Sequence, residues 1–300
     1  MNAMDVSRLH GIHPILYAFF DAAGHPQRAP IAAQVEAAIR HGAHGVAVLG
    51  LATETNKLDA AERRAIMEWT AEAAGRRLPL AVTVAEPSVH GQVAFVRAAR
   101  DAGADWVILQ PPPVAGLPEI EYLRFFGAVA DASPVPVAIQ NAAQFLGIGL
   151  SNAGLKSLNR NHPNVCLLKG EAPAAAIARL IEETEGAYRV FNGRGGLELP
   201  DCLRAGCAGM IPAPECFDLQ VACYDAMRAG REDEAEAHYR AMLPLVTFMM
   251  GSIDTFVCYG KRIVARRLGI ADVHDRAPAQ RPTAFGIAMM ERFLANLPPL

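Results

Sequence analysis

The chain has few aromatic residues and no excess of charge of either sign. Its 300 residues include 28 Lys and Arg against 31 Asp and Glu, a formal net charge of −3, and only 7% are aromatic. A balanced charge gives no electrostatic basis for attraction to nucleic acid or to an anionic membrane. We therefore expect neither as a partner.

The chain also lacks paired cysteines, metal motifs and long apolar runs. Its six cysteines include no CxxC pair, and no HExxH motif or carboxylate cluster occurs, which predicts free thiols and no metal. The apolar run at residues 243–253 is too short to span a bilayer. Residues 1–5 show no basic segment leading into an apolar one, so we expect no secretory signal and a cytoplasmic protein.

What the chain does have is a repeated unit of apolar strand, short loop and amphipathic helix, within a composition that is 52% hydrophobic. The strand segments are nearly all apolar rather than alternating, as in a parallel sheet covered by helices. The predicted strands are residues 11–18, 45–49, 80–84, 106–109, 135–139, 165–168, 188–191 and 209–211. The predicted helices are residues 31–41, 60–74, 89–102, 119–130, 154–159, 174–185, 197–205 and 219–229.

Eight such units in about 230 residues predict an α/β fold, a (β/α)8 TIM barrel with a C-terminal helical extension. A doubly wound sheet is the rival fold, but no GxGxxG follows the first strand, and we predict no cofactor. Long helical segments then run from residue 231 through 268 and from 283 to 297. The predicted domains are therefore a barrel over residues 1–230 and a helical domain over residues 231–300.

Lys169, which ends the apolar run at residues 165–168, is the most informative residue. Chemistry in these barrels lies at the C-terminal ends of the strands. An amine removed from water exists more often in its neutral form, which can attack a ketone to form a Schiff base. The alternative is a buried ion pair with Glu171 or Glu86. We favour the reactive amine, since no other strand end carries a lysine.

Two glycine-containing turns follow other strands of the predicted barrel. The turn at residues 50–54 could bind a carboxylate through its backbone N–H groups, although a plain βα turn explains it equally well. The turn at residues 192–196 lets a substrate approach the backbone closely. A phosphate loop is the weaker interpretation there, because no lysine or serine accompanies it.

This arrangement resembles the dihydrodipicolinate synthase / N-acetylneuraminate lyase family of class I Schiff-base lyases. The resemblance covers nearly the whole chain. It is carried by Lys169, the Gly-x-x-x-Glu turn at residues 50–54, the run Gly209-Met210-Ile211-Pro212 and the C-terminal run that starts at Lys261. It implies a barrel that binds pyruvate or another 2-oxo acid covalently at Lys169, in a homo-oligomer, a dimer or more usually a tetramer.

The proton-transfer residues of that family are missing. Its Tyr-Asn-x-Pro run reads Gln140-Asn141-Ala142-Ala143 here, its Pro-Tyr-Tyr segment is three prolines at 111–113, and Phe145 aligns with its substrate-binding arginine. An amide can form hydrogen bonds but cannot titrate, so we do not expect dihydrodipicolinate synthesis. A water held by Gln140 and Asn141, the side chain of Glu86, or the carboxylate of the substrate could replace the tyrosine.

The predicted function is a Schiff-base-forming lyase, an aldolase or a dehydratase, that acts on a small 2-oxo acid such as pyruvate. The alternative is a non-catalytic homologue that binds an oxo acid or serves as a structural subunit. We favour catalysis because a chain without chemistry has little reason to retain an amine at the end of a buried strand. The predicted catalytic residues are Lys169 and Gln140, and the predicted substrate-binding residues are Ala52, Thr53, Asn141, Gly193 and Ile211.

Overall fold

Eight parallel strands form the centre of the molecule in a computed structural model that describes residues 5–295 and 297–300. Nearly every strand residue is buried, as expected for strands enclosed by helices. The predicted (β/α)8 barrel is therefore confirmed. The strands are β1 (Gly11–Ile12), β2 (Val46–Val48), β3 (Leu80–Val84), β4 (Trp106–Leu109), β5 (Val137–Asn141), β6 (Val165–Gly170), β7 (Arg189–Asn192) and β8 (Gly209–Met210).

The sheet closes between its first and second strands. The hydrogen-bonded order is β1-β8-β7-β6-β5-β4-β3-β2, and a parallel bridge between Ile15 and Ala47 joins the two ends. The N–H of Leu16 donates to the carbonyl of Ala47 at 2.9 Å, and the N–H of Ala47 donates to the carbonyl of Pro14 at 3.0 Å. Because the sheet has no open edge, all eight strand ends surround one mouth.

The first strand is shorter than predicted. Regular pairing ends at Ile12 rather than at residue 18, because Pro14 has no N–H to donate to a ladder. The chain nevertheless stays extended along β8, with the N–H of Ile15 donating to the carbonyl of Pro212 at 2.7 Å. His13 is fully buried and packs edge-on against the rings of Trp106 and Phe191.

Nine helices follow the strands around the barrel in the described part of the chain. The fifth unit has two of them, because Gly147 (φ 71°) ends a first turn and Ser151 caps a second helix two residues before its predicted start. The helices are α1 (Arg28–Arg40), α2 (Ala60–Ala74), α3 (Val89–Ala102), α4 (Glu119–Asp131), α5 (Ala143–Leu146), α6 (Asn152–Asn161), α7 (Ala174–Glu183), α8 (Leu199–Arg204) and α9 (Phe217–Arg228).

Three further helices follow residue 230: α10 (Glu232–Met249), α11 (Ile253–Leu268) and α12 (Ala284–Leu294). The long helical segments predicted through residue 268 are the two helices α10 and α11, which separate between Met249 and Ile253, where Ser252 caps α11 by accepting from the N–H of Thr255. This break brings Met250 and Ile253 to the barrel mouth. The domain boundary at residue 230 stays a prediction. Among the described helices, none has the length and apolar content to cross a membrane.

Candidate active site

Lys169 occupies the C-terminal end of β6, inside the barrel mouth. Its side chain lines a small cavity and the residue is only 4% exposed. In the register of the sheet, Lys169 is the partner of Gln140 on β5 and of Phe191 on β7. The cavity is lined by Ile15, Leu51, Ala52, Lys169, Glu171, Arg194, Gly195, Ile211, Pro212, Ala213, Met250, Ile253 and Phe256.

Glu171 faces the lysine from two residues further along the chain. Residues i and i+2 of an extended segment point to the same side, and Lys169 Nζ lies 3.1 Å from Glu171 Oε1. The same oxygen accepts a hydrogen bond from Gln140 Nε2 at 2.6 Å, and Gln140 Oε1 accepts one from Gln110 Nε2 at 2.9 Å. The anticipated ion pair is therefore present, and it lies in the wall of a cavity.

Gly193 gives Glu171 the space that it occupies. A Cβ on Gly193 would lie 2.8 Å from Glu171 Cδ and 2.9 Å from Oε2. A side chain at position 193 would therefore collide with this carboxylate, so the close approach requires glycine. The glycine predicted to contact substrate thus also positions the carboxylate beside Lys169.

The turn after β2 borders the cavity, which Leu51 and Ala52 line. The hydroxyl of Thr53 is already committed, because it donates to the carbonyl of Leu16 at 2.6 Å and accepts from the N–H of Leu49 at 2.9 Å. Within residues 5–295 and 297–300, the N–H groups of Ala52 and Thr53 donate no hydrogen bond. They are free to bind an anion.

A buried ion pair fixes the end of the same turn. Glu54 adopts a left-handed conformation (φ 57°), and its carboxylate accepts from Lys261 of α11 and, at 2.6 Å, from Lys57. Desolvation lowers the pKa of Lys261, an effect that the charge of Glu54 opposes. Two motifs far apart in the sequence, the Gly-x-x-x-Glu turn and the run beginning at Lys261, thus meet at one contact.

The remaining predicted site residues differ in their access to the cavity. Ile211 lines it, whereas the side chain of Asn141 is held by the backbone of Leu150 at 2.8 and 3.0 Å. Gln140 reaches the cavity through Glu171. Glu86, one suggested replacement for the tyrosine, lies 3.3 Å from Arg63 Nε instead. The catalytic and binding roles of all these residues stay predictions.

A second buried acid lies behind the cavity wall. The Tyr17 hydroxyl donates to Glu215 Oε2 at 3.2 Å and is 3.4 Å from the carbonyl of Phe256, which lines the cavity. Both side chains are fully buried. Desolvation raises the pKa of Glu215 to about 7.

Several cavity residues were not predicted from the sequence. Glu171 was considered only as an ion-pair partner, although its spacing of two from Lys169 is a usable signal. Met250, Ile253 and Phe256 come from helices that looked like an appendage, and no local signal places them at the mouth. No group of three or more His, Cys, Asp or Glu among the described residues is placed to hold a metal ion.

Comparison with known proteins identifies the family. The sequence profile of the dihydrodipicolinate synthetase family matches residues 8–280. The chain belongs to this family. Membership confirms the predicted family and enzyme class, a lyase of the class I aldolase type.

Individual members of the dihydrodipicolinate synthetase family match most of the chain. YagE of Escherichia coli K12 is 28% identical over 250 residues, 82% of each chain. L-2-keto-3-deoxyarabonate dehydratase of Azospirillum brasilense is 28% identical over 255 residues, 82% of this chain and 81% of the relative. The crystal structure of YagE in complex with pyruvate superposes with a TM-score of 0.89 at 24% identity, covering 96% of this chain and 98% of YagE.

Proposed function

We propose that the protein is a lyase that binds pyruvate or another 2-oxo acid as a Schiff base on Lys169. The observation that carries this proposal is a nearly unexposed amine in the wall of a cavity at the C-terminal end of the barrel. The resulting imine draws electrons from the neighbouring carbon and so assists cleavage of a C–C or C–O bond. YagE, a relative with this fold, has been crystallised with pyruvate.

The surroundings of Lys169 supply partners for the rest of a 2-oxo acid. The free N–H groups of Ala52 and Thr53 bind its carboxylate, a task for which this turn needs no side-chain hydroxyl. Ile211 and Gly193 frame the adduct on either side. In this assignment backbone N–H groups bind the carboxylate of the substrate, and the amine of Lys169 reacts with its carbonyl group.

The far part of the cavity supports a substrate with a weakly polar distal group. Its walls include Leu51, Pro212, Ile253 and Phe256, with Arg194 as the one cation besides Lys169 among the lining residues. A polyhydroxylated sugar acid would need more hydrogen-bonding partners than this wall offers. We therefore favour aldol cleavage over dehydration, and the amide of Gln140 argues against dihydrodipicolinate synthesis.

We also propose a cytoplasmic homo-oligomer, a dimer or tetramer. The segment after β4 exposes three apolar residues, Val114, Leu117 and Ile120, at 49%, 44% and 50%. Clustered exposed apolar residues are typical of protein interfaces. This segment begins where the resembled family contributes a tyrosine to its neighbouring subunit.

A trapping experiment tests the proposed Schiff base. The protein is incubated with pyruvate and sodium borohydride, and its intact mass and labelled peptide are measured. The chain has four lysines, so the peptide identifies the site. We expect a reduced adduct on Lys169 that is absent in Lys169→Ala and kept in Lys156→Ala, whose lysine forms a surface pair with Glu185.

A non-catalytic oxo-acid-binding or structural homologue is the second candidate, and one observation favours it. The cavity is small, about 30 Å³, so we expect a lining side chain such as Met250 to move when pyruvate enters. The trapping experiment separates the two candidates. No adduct with pyruvate or with a panel of 2-oxo acids would favour the non-catalytic homologue.

A further inference from the structure

We propose that Glu171 is the acid and base that moves protons at the Lys169 nitrogen and at the adjacent carbon of the bound oxo acid. This role rests on the proposed Schiff base at Lys169. It assigns to a carboxylate one residue beyond the strand that carries the lysine the work that a phenol on β5 performs in the resembled family. Gln140 then becomes a positioning residue.

Three contacts hold the Glu171 carboxylate at the reacting nitrogen. Oε1 lies 3.1 Å from Lys169 Nζ and accepts from Gln140 Nε2 at 2.6 Å. The glutamine is itself oriented by Gln110, which donates to Gln140 Oε1. On the other side, the missing side chain of Gly193 leaves room for Oε2. A general base must lie within hydrogen-bond distance of the proton that it moves, and Glu171 meets this condition.

The other buried or partly buried acids near the barrel mouth have different partners. Glu54 is held by Lys57 and Lys261, and Glu86 lies beside Arg63. Glu215 accepts from Tyr17 behind the cavity wall. Of the described residues that line the cavity, only Glu171 carries a carboxylate. Arg194 cannot act as a base, because a guanidinium stays protonated.

The proposed proton transfers balance without any further reactant. Glu171 takes a proton from the Lys169 ammonium, and the neutral amine forms a C–N bond to C2 while the carbonyl oxygen gains the second amine proton. Glu171 returns its proton to this hydroxyl, the C–O bond breaks, and water leaves as the C=N bond forms. The carboxylate then removes a proton from C3, whose electrons move toward nitrogen to give the enamine.

Proton exchange at C3 of pyruvate measures this role without knowledge of the natural substrate. In D2O, wild-type protein should replace the methyl protons of pyruvate with deuterium, as followed by proton NMR. Glu171→Gln should still label Lys169 on prolonged incubation with pyruvate and borohydride, although more slowly, and should lose exchange by about 10²–10⁴-fold, the usual contribution of a positioned proton shuttle. Glu185→Gln, at an exposed acid that pairs with Lys156 on the surface, is the control and should exchange at the wild-type rate.

A second variant protects the test against misfolding and against a purely structural role. Glu171→Ala removes the carboxylate and opens space beside Lys169, so added formate should restore part of the exchange in a concentration-dependent manner. Labelling of Lys169 with an unchanged exchange rate in Glu171→Gln would overturn the role of Glu171 alone. Failure to label wild-type protein would overturn the proposed function and this role together.

Discussion

Gln140 and Lys169 are register partners on β5 and β6, and their side chains meet at a single oxygen of Glu171. The amide therefore occupies the position from which a tyrosine would act, yet it contacts the lysine only through a carboxylate. This relationship explains how an amine can remain at the end of β6 after a neighbouring hydroxyl has been lost.

Replacing Gln140 with leucine should disturb Glu171 more than Lys169. The substitution leaves the buried Gln110 amide without its acceptor and removes a donor to Glu171, at a cost of about 1–3 kcal/mol in the free energy of unfolding. We expect slower C3 exchange, with labelling of Lys169 retained. In a Glu171→Gln background the same substitution should have little further effect on exchange. Additive losses in the double variant would contradict the positioning role.

Gly193→Ala should impair chemistry while preserving the fold. The new Cβ would lie 2.8 Å from Glu171 Cδ, and the end of a flexible side chain can shift more readily than the backbone. A carboxylate displaced by about 1 Å can lose on the order of 10²-fold in rate. Exchange rates and thermal melts measure both effects. Gly251→Ala, a glycine with open space around its Cβ position, is the control and should change neither.

Glu215 should make stability fall as the pH rises. Its pKa is about 7 in the folded chain against 4.5 for an unperturbed group, so the folded state binds the proton more tightly between these values. The free energy of unfolding contributed by this group therefore decreases by about 3 kcal/mol from pH 4.5 to above 7.

Urea melts between pH 4.5 and 8 measure this dependence. The unfolding free energy of Glu215→Gln relative to wild type should increase by about 3 kcal/mol across that interval, since an amide does not titrate. Parallel stability curves for the two proteins would show that Glu215 keeps an ordinary pKa.

The apolar segment after β4 should determine the oligomeric state. Leu117→Glu places a charge within the exposed cluster of Val114, Leu117 and Ile120, and loss of one buried leucine weakens association by about 1.5–3 kcal/mol. Light scattering after size-exclusion chromatography should show a smaller mass at low concentration. Phe285→Glu, at the 70%-exposed phenylalanine of α12, should leave the mass unchanged. A smaller mass for Phe285→Glu, with an unchanged mass for Leu117→Glu, would indicate that the interface lies at α12 instead.

The sequence predicts the barrel and its most reactive residue because both depend on local patterns. Apolar runs separated by amphipathic helices indicate eight βα units, and the end of the sixth run is Lys169. The first strand was wrong in extent because Pro14 interrupts its regular pairing. Local patterns do not reveal that Gly193 leaves space for Glu171, or that Met250 lines the cavity, because these positions are distant from their neighbours in the sequence. The role proposed for Glu171 could be inferred only from the distance between its Oε1 and Lys169 Nζ.

The pair of Glu54 and Lys261 has a consequence for anyone who re-engineers this barrel. The turn after β2 is held in place by the contact between Glu54 and Lys261, which lies about two hundred residues later in the sequence. A chimera that grafts foreign helices onto the barrel would leave the buried Glu54 with Lys57 as its remaining cation, unless the graft brings a positive group to the position of Lys261. An exchange of the C-terminal helices of this protein must therefore include the turn after β2, so that both parts come from the same parent.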